Sequence, residues 1–174
     1  ILLSLFVSFT ALIIASLLGF IVGYYFAIYN FYFKKIILII INSLMGIPPV
    51  VVGLIVYVIF ASGGPLGILQ LLYTPSAMII AQTIIIFPII ASLSHEIFSK
   101  NWFEFKDQIR SLNIPFWGSV KLLFNHSYFL LITTLLSAFG RAISEVGAVM
   151  IVGGNIDHYT LSLIHISEPT RPLT

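Results

Sequence analysis

Charge is what this chain has least of. Only 8% of its 174 residues are Asp, Glu, Lys or Arg, 59% are hydrophobic, and the mean hydropathy is +1.10. A soluble domain of this length would show periodic apolar stripes relieved by many charges, so a water-soluble globule is excluded. Cysteine is absent, which removes disulfides and thiolate metal sites. No Gly-x-x-x-x-Gly-Lys-Ser/Thr phosphate loop occurs, so a nucleotide-driven activity would need another chain to hydrolyse ATP. Paired carboxylates and a Ser/His/Asp set are missing too, and His95, His126 and His158 stand isolated. Catalysis and metal binding by this chain are therefore not expected. The net charge of +2 is too small to argue for nucleic acid.

Long apolar runs are there instead. A bilayer core about 30 Å thick takes roughly 17–25 helical residues, and four stretches qualify: 1–29, 36–60, 76–93 and 120–152. The expected class is all-α, a polytopic transmembrane helix bundle. The second stretch is interrupted by Gly46-Ile-Pro-Pro49. Pro48 and Pro49 lack backbone donors and clash with the preceding turn, so a kink or break is expected there. Such a break survives in a membrane only where protein or a watery cavity satisfies the freed carbonyls, which makes these prolines shapers of a helix lining a path. Pro88, inside the third stretch, invites the same reading more weakly, because single prolines are common in membrane helices. Gly63, Gly64 and Gly67 mark a turn in the uncharged connection 61–75.

Six of the eight basic residues flank one side: Lys34 and Lys35 between the first two stretches, then Lys100, Lys106, Arg110 and Lys121 around the connection 94–119. The positive-inside bias makes residues 30–35 and 94–119 cytoplasmic. Trp102 and Trp117 fit interfacial anchors beside that connection.

Arg141 and Glu145 lie within the fourth stretch. A charge at membrane depth costs at least about 2.5 kcal/mol and is normally paired or faces a polar path. Four residues apart on a helix, these two share a face and can neutralise each other. The small residues Gly140, Ala142, Ser144, Gly147 and Ala148 around them allow close helix approach. The pair can gate or line a path, or it can simply fix helix packing. Gly147, Gly153 and Gly154 supply close packing or hinge freedom, and Asn155 meets a partner or ligand near the outer mouth or merely ends a helix.

Phe103 to Pro115 form the other feature. Phe105, Ile109 and Leu112 fall on one face at helical spacing, so a short amphipathic helix is expected. Asn113 suits a left-handed terminator and Pro115 prevents continuation. Such a helix can dock in a partner's groove or lie on the lipid surface.

This connection resembles the coupling loop of type I ABC importer permeases, whose motif is Glu-Ala-Ala followed by a glycine. Asp107, Gln108 and Ile109 stand where Glu-Ala-Ala would be, and Asn113 where the glycine would be. Asp keeps the charge, and Asn is the residue besides glycine that best tolerates left-handed geometry. Three further segments resemble the permease subunit of tungstate and molybdate importers: Asn42 to Tyr57, Ser62-Gly-Gly-Pro-Leu-Gly67 and Arg141 to Met150. Gly153-Gly-Asn-Ile156 is similar to the tungstate branch in particular. The resemblance covers residues 1–160. It implies a type I bundle with four helices present and a final helix still to come. It also implies a homodimer with the path between two copies, two cytoplasmic ATPase subunits holding ATP-Mg, and an extracytoplasmic oxyanion-binding protein. No cofactor is expected in this chain, and the cell membrane of a prokaryote is the expected location. Competing expectations are a secondary transporter or channel built on Arg141 and Glu145, a permease for sulfate or another anion, and an assembly subunit that moves nothing. Residues 161–171 resemble the translation of a transposon-end sequencing adapter, so 161–174 is expected to be a non-native tail.

Overall fold

The computed structural model describes residues 2–145 and 151–153. Among them there is no strand. Five α-helices follow in order: α1 Leu2–Ile28, α2 Lys34–Leu44, α3 Pro49–Phe60, α4 Pro75–Ser111 and α5 Phe116–Ser144, with a 3₁₀ turn at Gly67–Leu69. α1, α4 and α5 are each long and apolar enough to cross a membrane, and α2 with α3 passes that test only as a pair bent by 103°, the form of a broken span or a re-entrant loop. The all-α membrane bundle expected from the hydropathy is what forms.

α4 is the hub, packing against α1, α5, α2 and α3, most extensively against α1. The reason is legible in α1, where Val7, Ala11, Ala15, Gly19, Gly23 and Ala27 recur every fourth residue and all are buried. Lipid is as apolar as leucine, so membrane helices associate by close packing rather than by the hydrophobic effect, and small residues permit it. A Cβ on Gly19 would sit 2.7 Å from Ile90 Cγ2, and one on Gly23 would run into Ser94 Oγ and lie 2.9 Å from the His95 backbone nitrogen. The Ser94 hydroxyl also donates to the Gly19 carbonyl at 3.2 Å. The large apolar side chains of α1 and α5, including Leu17, Ile21, Phe129 and Leu136, face outward, as they should toward lipid.

One expectation about the breaks holds and two change. The break at Gly46 to Pro49 is real: α2 ends at Leu44, and α3 restarts on Pro49 with Pro48 as its N-cap, the position where a missing N–H does no harm. Pro88 breaks nothing, because α4 runs through it. The connection 94–119 is not a loop bearing a separate short helix. α4 extends unbroken to Ser111 and α5 begins at Phe116, so only four residues connect them. With 37 residues, α4 is about 55 Å long, well beyond a 30 Å hydrocarbon core.

The fourth stretch also differs. α5 stops at Ser144, and Glu145 is its C-cap at φ −93°, ψ 69°. Residues 151–153 are helical; Val152 joins a cluster with Val56, Phe60, Ala77 and Ala81, and its carbonyl accepts from the Tyr73 backbone N–H at 3.1 Å.

Candidate functional site

The α2–α3 break, the middle of α4 and the end of α5 meet around one cavity of about 280 Å³. Leu44, Met45, Ile47 and Val52 border it from the break, Leu18 from α1, Thr83 and Pro88 from α4, and Arg141 from α5. Pro48 and Pro49 turn the chain without lining the space. The two features that stand out in the sequence, a double proline and an intramembrane arginine, are thus brought to one place.

Among the described residues, Arg141 is the single charged one on that wall. Its Nε lies 2.8 Å from Glu145 Oε1, with the side chains 39% and 16% exposed. The i, i+4 pairing holds although the helix ends between the partners. Nε itself is buried and makes no aligned hydrogen bond, so the contact is a charge pair rather than a fork of parallel bonds. A guanidinium carries further N–H donors in a planar fork, a geometry suited to pairs of oxygen acceptors. With Glu145 beside it, the wall offers a local cation but little net charge.

The small residues around the pair divide. Ala142 is 1% exposed, whereas Gly140 is exposed, and a Cβ there would meet nothing within 4 Å. Gly147 and Asn155 lie outside the described residues, as do 161–174.

Gln82 has no place in the sequence reading and belongs beside this site. It is 2% exposed, and its Nε2 donates to Ser8 Oγ at 3.0 Å and to the Ala142 carbonyl at 2.6 Å. Two similar links tie α4 elsewhere: Ser92 Oγ donates to Asn42 Oδ1 of α2, and Asn101 Nδ2 donates to Ser127 Oγ of α5 at 2.6 Å. The signal available was an uncharged polar pair, Gln82-Thr83, in an apolar run, a weak one because such residues also occur as harmless helix-bonded side chains.

The α4–α5 turn realises the predicted terminator. Asn113 has φ 46°. Its N–H donates to the Arg110 carbonyl at 3.1 Å, and the Ile114 N–H donates to the Ile109 carbonyl at 3.0 Å. These two bonds define a Schellman motif, and the accompanying apolar contact is supplied by Ile109 and Ile114, which share one cluster. The expected docking face needs correction. Ile109 is buried, and Phe105 is half-buried with its ring 4.7 Å from that of His126. Both pack inward on α5 because α4 continues as one helix alongside it. The residues left open are Asp107, Gln108, Leu112 and Asn113, with Phe116 and Trp117 across the turn.

A more polar cleft of about 400 Å³, between α4 and α5 near this end, is bordered by Glu96, Lys100, Glu104 and His126. Among the described residues, no three His, Asp or Glu side chains group as metal ligands.

No protein-family model matches the chain. It is 41% identical over 158 residues to the tungstate uptake system permease protein TupB of Peptoclostridium acidaminophilum, covering 91% of this chain and 69% of that protein. It is 38% identical to a probable anion ABC transporter permease protein of Haloferax volcanii, covering 88% and 66%. It is 37% identical to the TupB of Campylobacter jejuni, covering 78% and 56%. The chain thus spans between 56% and 69% of the length of these relatives.

Proposed function

Since the chain belongs to the family of tungstate-uptake and anion ABC transporter permeases, we propose that it is the membrane-spanning subunit of an ATP-driven importer for a tetrahedral oxyanion, with tungstate the first candidate and molybdate the second. The observation that carries this reading is the apolar cavity at the helix break with one guanidinium on its wall. An apolar lining gives a dianion nowhere to settle, and a cation already paired with Glu145 holds it only weakly. A permease needs that balance, because an anion must enter and leave.

The partners follow from the same reading. A second copy of the chain completes the path. Two ATPase subunits, holding ATP-Mg, grip the α4–α5 turn, and an extracytoplasmic binding protein delivers the anion. The basic end is the cytoplasmic one by the positive-inside bias, in the cell membrane of a prokaryote. Asp107, Gln108, Leu112 and Asn113 are the contact residues for the ATPase, while Phe105 and Ile109 hold the turn in place. α4 is continuous from that turn to Pro88 at the cavity, roughly 35 Å of rigid helix. A pull on the turn is therefore delivered to the cavity wall as a rigid-body movement, the kind of step alternating access requires.

The test is uptake of labelled tungstate by cells carrying the full-length permease with its ATPase and binding protein. Arg141→Ala is expected to lower uptake at least tenfold while ATPase association persists. Leu112→Asp is expected to abolish association and uptake together. Normal uptake in both variants would sink the reading.

A further inference from the structure

We propose that Gln82 is a positioning residue for the anion path: it fastens the end of α5 so that Arg141 stands on the cavity wall. The proposal rests on the permease reading above. α5 stops at Ser144, and the carbonyls of a helix's last turn have no partner within the helix. Ala142, the residue after Arg141, is one of these, and its carbonyl accepts from Gln82 Nε2 at 2.6 Å. The same nitrogen reaches Ser8 Oγ on α1 at 3.0 Å. One amide thus joins three helices at the point where the helix bearing Arg141 breaks off.

Packing alone does not account for a glutamine here. The site is buried, with Ser8 at 3% and Gln82 at 2% exposure, and leucine or methionine would fill a similar volume without desolvating an amide. Gln82 Oε1 is buried with no hydrogen-bond partner, so the residue carries a cost that an apolar side chain would avoid. Flipping the amide does not relieve it, because Oε1 would then face the Ala142 carbonyl, acceptor against acceptor. What the glutamine adds is the donor to Ala142, and that bond fixes the backbone next to Arg141.

These 174 residues contain no cysteine, so once any cysteine elsewhere in the full-length protein is replaced, single nitroxide labels can report position. In the full-length permease, assembled with its ATPase in lipid, a label is placed at Arg141→Cys and, as a control, at outward-facing Leu136→Cys. Gln82→Leu and Gln82→Met are each expected to change the label's collision rate with a water-soluble relaxation agent at least threefold at 141 and less than 1.5-fold at 136. Ser8→Ala, which removes only the α1 arm, should give a smaller change at 141. With Arg141 present, both Gln82 variants should lower tungstate uptake at least fivefold. An unchanged signal at 141, or equal changes at 141 and 136, would overturn the proposal whatever uptake does. A local change at 141 with normal uptake would uphold the positioning and refute the path reading on which it rests.

Discussion

At the basic end of the bundle, α4 and α5 are joined by four residues whose bonds are nearly all local. Asn113 turns left-handed, Ile114 bonds back to Ile109, and the two isoleucines share a cluster. At the other end, α5 is finished by a side chain 60 residues away, Gln82, and by a charge pair with its own C-cap. The backbone bonds of the first arrangement need only residues 109–114. The second exists only while three helices keep their mutual positions. Under the function proposed above that difference is useful, because a turn meant to receive force should not yield, whereas a path wall must be able to change its partners.

The comparison breaks most decisively at Ile109. It is 5% exposed and packed on α5, so Ile109→Asp places a carboxylate within an apolar cluster. The expected loss is about 3–5 kcal/mol, read as a collapse in the membrane level of the protein and in its melting temperature. Leu112→Ala, three residues on and 71% exposed, should stay within about 0.5 kcal/mol of the parent. Equal losses at both positions would show that the turn is not built as described.

Gly23 comes next. A Cβ there meets the Ser94 hydroxyl and the His95 backbone, and backbone cannot step aside. Gly23→Ala should therefore cost about 1–3 kcal/mol by prying α1 from α4. Gly140→Ala, on the open face of α5, should instead stabilise the single chain by about 0.4–1 kcal/mol through reduced freedom of the unfolded state. Thermal unfolding of the two purified variants separates these signs. A loss at Gly140 that appears only at high protein concentration would mean that a second copy packs on that face.

The fold was largely legible because membrane helices announce themselves by length and apolarity. The break at Pro48 and Pro49 was legible because two consecutive residues without donors cannot be accommodated. Pro88 was harder: one missing donor is tolerated, and nothing local says which proline will break a helix. The extent of α4 was hidden because residues 94–111 are polar enough to read as a loop, although they carry a helix-forming pattern that packs on α5. At the site, Arg141 and Glu145 stood out by charge. Gln82 did not, since its role depends on Ser8 and Ala142, 74 and 60 residues away. A long-range bond from an uncharged residue leaves no spacing to read.

Asn113 tests the local end again at smaller scale. At φ 46°, Asn113→Ala should cost about 1 kcal/mol, because a Cβ without a compensating polar group disfavours that region. Asn113→Gly should be neutral or slightly stabilising. If alanine and glycine behave alike in thermal unfolding, the turn does not depend on the left-handed residue.

The smallest effect is expected at the charge pair. Because Arg141 is 39% exposed and Nε makes no aligned hydrogen bond, the coupling between Arg141 and Glu145 should be only about 0.2–1 kcal/mol. A double-mutant cycle of Arg141→Ala and Glu145→Ala, measured by unfolding in detergent, isolates it. Coupling in that range, falling as salt is raised, would fit a pair that can part when the path opens. Coupling of several kcal/mol, insensitive to salt, would make the pair a fixed brace like the turn at the basic end, and the contrast between the two ends would be lost. The parent and the same three variants are then assayed for tungstate uptake. A pair that is weak in stability yet costly in uptake when Arg141 is removed is one held for transport rather than for folding.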